Sequence, residues 1–396
     1  IQKQLDRLWE LDSLGIKDDE DGCVDDVIRD KFRETVERSE GGRYYVRFPW
    51  DTEKADRLPD NRQLALRRFR SLQRKLRQDP VLEEKYFAYM AEQHKREFIE
   101  VVPEEAVQEG VVHYLPHHPV VKGDSRYTKV RVVYDASARQ KGSYSLNDVQ
   151  FDGPNMIGDL FSILLRFRLR AVGITADIEK AFLMVGLQRD QRDCTRFFWC
   201  KSLGNPDLVV FRFKVVPFGV VSSPFLLNVT VQHHLEGSKT DSARMLKGSM
   251  YVDNAIVSVP SAEVAADFYH EAKALFAEAE MNLREWVTNS AGLRETLDPK
   301  DRIDDDESKI LGVRWKVSSD ELFAPFPADP AAVVTKRHVL RVASAPFDPL
   351  GFVVPLTIAA KVFMQKLWKH RTDWDDAIPD ELAPEWHRIV EQLQAI

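Results

Sequence analysis

Two short stretches put acids where phosphate chemistry needs them. The first is TADIEKAF at 175–182, where Asp177 stands at the end of the β-branched run 171–176 and Phe182 follows five residues later. Residues 178–185 have helical spacing in Ala181, Phe182 and Val185, which predicts that Asp177 sits at a strand-to-helix junction lined by backbone N–H groups. Taken alone, Asp177 can equally be the cap of that helix. The second stretch is MYVDNAIVSV at 250–259, two apolar runs flanking Asp253-Asn254. Asp and Asn tolerate the positive φ of tight turns, so this reads as a hairpin. A strand ending in one Asp and a hairpin tipped by another can bring two carboxylates together. Such a pair can hold divalent cations about 3.5–4 Å apart, the arrangement that clamps the attacking and leaving oxygens of an in-line phosphoryl displacement.

The elements that must position these acids follow from periodicity. Residues 1–60 read as an extension with an amphipathic piece at 5–11, an acidic loop at 17–26 and a short strand at 44–48. Helical pattern runs from 62 to 98 with a break near Pro80. In its first half Ala65, Phe69, Leu72 and Leu76 share one face, leaving Arg62, Arg67, Arg68, Arg70, Arg74, Lys75 and Arg77 for another. That basic face reads either as ordinary solvated surface or as one that tracks phosphates. Strands are predicted at 111–115, 119–122 and 129–134. The last two form a hairpin carrying Lys122, Lys129 and Arg131, which suits a triphosphate or simply presents cations to water. His113, His117 and His118 imitate a metal spacing, but Pro116 breaks the helix that would align the first two.

A Ser/Gly-rich loop at 137–147 precedes a helix at 159–169. Beyond the first acid, a strand at 211–216 leads into the turn 217–224, and a long helix opens there with Ser222 or Ser223 as its cap and Pro224 in its first turn. The small residues of that turn allow the flat face of a nucleotide to approach the backbone closely. After the Asp253 hairpin, a helix at 261–279 places Val264, Phe268, Ala272 and Phe276 on one side. Strands follow at 283–287 and 309–315.

Composition bounds the rest. With 396 residues, 44% hydrophobic and 10% aromatic, the chain can bury a substantial core in two to three units. Its longest apolar run, 350–360, is interrupted by Pro355 and falls short of a membrane span. Cys23, Cys194 and Cys200 match no metal or disulfide spacing, as expected of a reducing compartment. The chain starts at Ile1 with no signal peptide and stops mid-pattern, as expected of a piece of a longer polypeptide. A formal net charge of −7 argues against nucleic acid only until its distribution is considered, since acids cluster at 17–26 and 304–307 while 62–77 carries seven basic residues and no acid. No Asp-Thr-Gly or Asp-Ser-Gly occurs, so the chain carries no aspartic-protease motif.

Taken in order, the motifs resemble the reverse transcriptases of BEL/Pao long-terminal-repeat retrotransposons. The resemblance rests on RVVYDASA (131–138), SLNDVQFDGPN (145–155), DLFSILLRFR (159–168), ADIEKAF (176–182), RFFW (196–199), RFKVVPFGVVSSPFLLN (212–228), YVDN (251–254), ILGVRW (310–315) and FDPLGFVVPLTIAAKVFMQKLW (347–368). It implies an α+β right-hand polymerase of fingers, palm and thumb, with an antiparallel palm sheet and flanking helices. The segment 61–316 would hold fingers and palm, and 317–396 a thumb- or connection-like helical region. Asp177 and Asp253 would be the catalytic metal ligands, with the Ile178 carbonyl assisting and Mg²⁺ or Mn²⁺ as the cation. Phe182 resembles the aromatic gate that crowds a ribose 2′-hydroxyl. Lys122 and Arg131 resemble the residues on the incoming triphosphate, and Pro217, Phe218, Gly219 and Ser222 the loop that supports it. Leu311 and Gly312 fall at the primer grip. Arg68, Lys361 and Lys369 would meet the nucleic-acid backbone, with Leu356, Ala360, Phe363 and Leu367 on the opposite, core-facing side of their helix. Implied partners are an RNA or DNA template with its primer, deoxynucleoside triphosphates and other parts of the same polyprotein, with no membrane. The implied location is an intracellular, cytoplasmic particle.

The family pattern is Tyr-Val-Asp-Asp, and this chain has Asn254 in the last place. Asn brings one acceptor oxygen, an NH₂ donor and no charge, so it is a poorer ligand for a hard cation. An active polymerase, a folded relic that still binds template and primer, and a purely structural polyprotein segment therefore stay open as readings.

Overall fold

The computed structural model describes residues 20–103, 110–121, 130–203, 207–326, 333–370 and 372–394. Lys122, Lys129, Arg371 and the amphipathic piece at 5–11 lie outside them. The chain divides into two units, one drawn from the described residues within 1–157, 178–247 and 272–282, the other from 158–177, 248–271 and 283–396.

In the first unit the helices Arg62–Gln78 and Pro80–Lys95 meet at Asp79, whose side chain caps the second through the N–H of Leu82 at 3.0 Å. Ala65, Phe69, Leu72 and Leu76 are the buried stripe of the first helix, as its periodicity predicts. They pack toward an aromatic core in which His117, Tyr86, Tyr134, Phe197 and Trp199 lie ring against ring. His117 is a core residue: its ring nitrogens meet the Tyr86 hydroxyl at 2.5 Å and the Phe198 carbonyl at 2.9 Å. His113 is likewise buried and meets the Pro59 carbonyl at 2.6 Å, whereas His118 is exposed.

The strands His117–Val121 and Val130–Tyr134 pair antiparallel, the hairpin that the sequence predicts. Residues 111–115, predicted as a strand, contribute only a bridge between Tyr114 and Arg196. The predicted strand at 211–216 is observed at Leu208–Phe213, in a three-stranded sheet with Ile99–Val101 and Phe197–Cys200. Near the start of the chain, the acidic stretch read as a loop is helical from Glu20, in Glu20–Thr35. Tyr44–Val46 joins Gly186–Leu187 in parallel.

The second unit holds a four-stranded antiparallel sheet in the order Met250–Tyr251, Asn254–Val259, Val172–Ile178, Leu283–Thr288. The helix Leu160–Phe167, capped by Asp159 through the Ser162 N–H at 2.8 Å, buries Ile163, Leu164 and Phe167 against Ile256, Val287 and Trp315. Phe167 lies so close over Gly173 that a Cβ there would come within 2.7 Å of the ring. This is the spacing that lets helix and sheet meet. In the helix Ala262–Ala277, Ala265, Phe268, Tyr269, Ala272, Leu275 and Phe276 are buried while Val264 is exposed, its place in the predicted stripe taken by Ala265. The single strand predicted at 309–315 is instead a hairpin, Glu307–Ile310 with Val313–Lys316, folded at Leu311 (φ 50°) and Gly312 (φ 93°). Two successive positive φ values are what a two-residue loop of type I′ requires. Three helices, Lys336–Ser344, Val354–Trp368 and Ala383–Gln394, close around Phe363, Leu367 and Trp386.

Candidate active site

The strand Val172–Ile178 runs through Asp177 rather than ending before it, because a neighbouring strand pairs with it to the end. Asn254 lies opposite Asp177, Ala255 opposite Ala176, and so on to Val259 opposite Val172. Paired residues of an antiparallel ladder point to one face, so Asp177 and Asn254 are side by side. The turn is correspondingly one residue earlier than its composition predicts. Val252 and Asp253 form it, Asn254 belongs to the strand, and the left-handed position is taken by Val252 at φ 56°. A β-branched residue rarely adopts that conformation, which costs on the order of 1–3 kcal/mol and is tolerated where surrounding structure dictates it.

Nor does Asp177 cap a helix. Glu179 and Lys180 intervene, Lys180 at φ 53°, and the helix that follows is the single turn Ala181–Met184 with no side-chain cap. The predicted helix over 178–185 is shortened because the Glu179 N–H donates to the Asn282 carbonyl at 2.9 Å.

Asp177 feels the charge of Asp253. Burial first, then the charges of Asp253 and Glu285, push the Asp177 carboxyl up to about 7, against a smaller opposing pull from Arg284. Burial also raises Asp253, while its own backbone N–H and the Asn254 side chain, whose Nδ2 donates to Asp253 Oδ1 at 2.9 Å, favour the charged form. A pocket of about 190 Å³ opens here, lined among others by Asp177, Asn254, Glu285, Lys309 and Leu311. Glu285 is the acid that sequence reasoning passed over. It was legible only as the polar member of an alternating strand, and its backbone at φ 55° interrupts that alternation.

Burial leaves these half-buried carboxylates with raised pKa values despite the Arg284 charge beside Asp177, and a hard divalent cation would favour their charged forms. Mg²⁺ is held through one or two carboxylates plus substrate phosphates and water, so Asp177 and Asp253 fit it. Among the described residues no three His, Cys, Asp or Glu side chains are arranged to hold a metal.

The first unit gathers a different set. Phe182, half-buried, meets Phe218 edge-to-face with ring centroids 4.7 Å apart. Phe218 belongs to the loop 217–223, in which Pro217 and Ser222 are buried. Gly219, at φ +96°, lies so near the Tyr134 carbonyl that a Cβ would come within 2.4 Å of it. Ser222 occupies the N-cap position of the helix Ser223–Gly237 without capping it, because its hydroxyl donates instead to Gln150 Oε1 at 2.8 Å. Arg131 is exposed on its strand. Arg68, read as a phosphate contact, pairs with Asp135 at 2.5 Å and is half exposed.

In the second unit, Leu311 and Gly312 form the hairpin tip already described. The Phe347 ring covers Gly312, where a Cβ would come within 2.9 Å of it. The helix Val354–Trp368 buries Ala360, Phe363 and Leu367, partly buries Leu356, and leaves Lys361 and Lys369 exposed.

Residues 139–292 match the family described as reverse transcriptase (RNA-dependent DNA polymerase), and 335–395 match the Pao retrotransposon-like RNaseH-like domain. In this chain the latter stretch is the three-helix group around Trp386. A comparison with curated proteins finds no match. Among solved structures the chain is similar to a foamy viral protease-reverse transcriptase in complex with an RNA/DNA hybrid, at 16% identity and a TM-score of 0.47. The similarity covers 77% of this chain and 36% of that one. On an α+β fold whose antiparallel sheet sets one acid beside the hairpin carrying the other, the two family matches fall in chain order and support a BEL/Pao retrotransposon reverse transcriptase region.

Proposed function

We propose that this chain is the RNA-directed DNA polymerase segment of a retrotransposon polyprotein and adds deoxynucleotides to a primer 3′-hydroxyl. The observation that carries this reading is the Asp177–Asn254 pairing, which sets the Asp253 turn against the end of the central strand. Asp177 and Asp253 would hold Mg²⁺ or Mn²⁺, with the Ile178 carbonyl available as a further oxygen. When bound, the cation neutralises charge developing on the transferred phosphate and lowers the pKa of the attacking hydroxyl. Asp177 must give up its proton to serve, so its raised pKa couples cation binding to proton release.

The remaining roles are positional. Phe182 would crowd a 2′-hydroxyl, the loop of Pro217, Phe218, Gly219 and Ser222 would support the incoming nucleotide, and Lys122 and Arg131 would meet its triphosphate. Leu311 and Gly312 would hold the primer end, with Arg68, Lys361 and Lys369 along the duplex backbone. In this reading 61–316 serves as fingers and palm and 317–396 as a thumb-like region. RNA or DNA template with primer and deoxynucleoside triphosphates are the partners, flanking parts of the polyprotein are neighbours, and the setting is an intracellular particle. Among the described residues no helix is long and apolar enough to cross a membrane.

Asn254 favours a second reading, a copy that keeps fold and duplex binding with little catalysis. Primer extension on an RNA template, with Mg²⁺ and with Mn²⁺, tests both. Extension by the native chain that disappears in Asp177→Asn supports the first. Extension only after Asn254→Asp supports the second, and none from either chain refutes the polymerase reading.

A further inference from the structure

The motif SLNDVQFDGPN at 145–155 takes no part in the chemistry above, yet its side chains hold the loop 217–223. Asn147 grips two backbone positions of that loop. Its Oδ1 accepts from the Val221 N–H at 2.9 Å, and its Nδ2 donates to the Gly219 carbonyl at 3.1 Å and to Ser137 Oγ at 2.9 Å. Gln150, 6% exposed, accepts from Ser222 Oγ at 2.8 Å, while its own Nε2 has no hydrogen-bond partner among the described residues. A carboxamide offers an acceptor and a donor on one small planar group, which matches an N–H and a carbonyl two residues apart in a turn. A carboxylate would repel the Gly219 oxygen, and an apolar side chain would leave both backbone groups without a partner.

The clamp is itself anchored. Asp148 Oδ2 accepts from the Ser145 N–H at 2.8 Å, from Ser145 Oγ at 2.6 Å and from Arg139. The Asn147 N–H donates to the Ala136 carbonyl at 3.1 Å. Gly153, at φ +81°, passes so near Phe225 that a Cβ would come within 2.3 Å of its ring, which braces the start of the helix after the loop. From the other side the loop is pressed onto the Tyr134 carbonyl at Gly219. Held on both sides, the backbone has one path, and Phe218, 48% exposed, emerges from it edge-on to Phe182.

We propose that Asn147 and Gln150 are positioning residues for nucleotide selection, fixing the 217–223 backbone so that Phe218 braces Phe182 against the sugar of the incoming deoxynucleotide. The proposal rests on the polymerase reading, in which Phe182 and this loop form the nucleotide-facing wall. Asn147 acts through Gly219 and Val221, Gln150 through Ser222, and neither touches the substrate. Losing the clamp loosens nucleotide binding and deoxyribose selection together, and leaves duplex binding as it was.

The test measures deoxynucleotide affinity on a dideoxy-terminated RNA–DNA template–primer, which needs no turnover, together with the ratio of ribo- to deoxynucleotide incorporation wherever extension occurs. The native chain and Asn254→Asp are compared with Asn147→Ala, Ser222→Ala, Gln150→Leu and Phe182→Ala. Asn147→Ala removes both side-chain hydrogen bonds to the loop, along with the one to Ser137, and the two to the loop are worth about tenfold in nucleotide affinity, with template–primer affinity unchanged within about twofold. Ser222→Ala, which deletes only a hydroxyl, weakens the nucleotide by about threefold and is not additive with Gln150→Leu. If Phe182→Ala relaxes sugar selection while the Asn147 and Ser222 variants bind nucleotide like their parent, the proposal is overturned and the polymerase reading stands. If neither native nor Asn254→Asp chain binds nucleotide on the duplex, both are overturned.

Discussion

Asn254→Asp is the substitution that most directly interrogates the acidic site, because its effect on stability and its effect on rate should have opposite signs. Asn254 Nδ2 now donates to Asp253 Oδ1 at 2.9 Å, and the residue stands opposite Asp177 in the ladder. A carboxylate there loses that hydrogen bond and puts a third negative charge within about 4 Å of the second. At an effective dielectric near 20 that repulsion is about 4 kcal/mol. Partial protonation of the trio relieves some of it, so in EDTA the variant should be less stable than the native chain by about 2–4 kcal/mol. For a unit of roughly 160 residues this lowers the melting temperature by on the order of 5–15 °C. Mg²⁺ binds the folded three-acid site and not the unfolded chain, so it should close most of the gap. In primer extension the same variant should gain about a hundredfold or more in Mg²⁺, since catalysis here depends on charge placed where the transition state develops it. Duplex affinity should be nearly unchanged, as the effect belongs to the transition state. Melting curves of both chains in EDTA and in a Mg²⁺ series, followed by extension assays, decide the matter. Equal melting in EDTA, or a gap that Mg²⁺ leaves open, would show that position 254 faces no acid and that the account of the site is wrong.

Phe182→Ala should raise ribonucleotide use relative to deoxynucleotide use in any variant that extends a primer, and unchanged discrimination would make Phe182 a packing residue for Phe218 alone. Replacing Lys361 and Lys369 together by Ala should flatten the salt dependence of duplex binding by about 0.9 for each phosphate no longer neutralised; an unchanged slope would remove them from the interface. Arg68→Ala should flatten it less, because Asp135 already neutralises that guanidinium. His117 gives a pH signature. Burial holds its pKa down to about 4, against the usual 6.5, so its contribution is fully present above pH 6.5 and is lost as pH falls from there toward 4. The loss amounts to about 3 kcal/mol, and urea titrations at pH 7 and pH 4.5 should show part of it in the native chain but not in His117→Gln.

What the sequence discloses and what it withholds divide along a physical line. Patterns that depend on near neighbours are legible. The Ala65–Phe69–Leu72–Leu76 stripe, the break at Pro80 and the two acids at the ends of β-rich runs all follow from period and turn chemistry. Register is not local. Nothing in Met-Tyr-Val-Asp-Asn says that Asn254 will pair with Asp177 and push the left-handed position back onto Val252, the residue type least expected to accept it. The same holds at Leu311-Gly312, where a continuous apolar run folds into a hairpin because its halves pair with each other and the second half also pairs with the strand Glu321–Phe323. Glu285 was hidden for the same reason, since its importance lies in the strand beside it.

The clamp of Asn147 and Gln150 is the sharper case. Both residues are visible in a motif distinctive enough to suggest a family, and their partners lie some seventy residues downstream. A carboxamide on a loop has no preferred partner until the fold supplies an N–H and a carbonyl at the right separation, so composition alone leaves its role open. Where the partner is a backbone, as it is here, even the downstream sequence carries little trace of it beyond the glycine that lets the chain approach. Gly219 is that trace: at φ +96° and with a Cβ that would come within 2.4 Å of the Tyr134 carbonyl, it is the one residue of the loop whose identity the geometry demands. A Gly219→Ala chain should therefore lose nucleotide affinity at least as strongly as Asn147→Ala, because it displaces the backbone that Asn147 holds. Nucleotide binding on a blocked primer measures both, and an Ala at 219 that bound nucleotide normally would mean that the loop's path is free and the clamp without consequence.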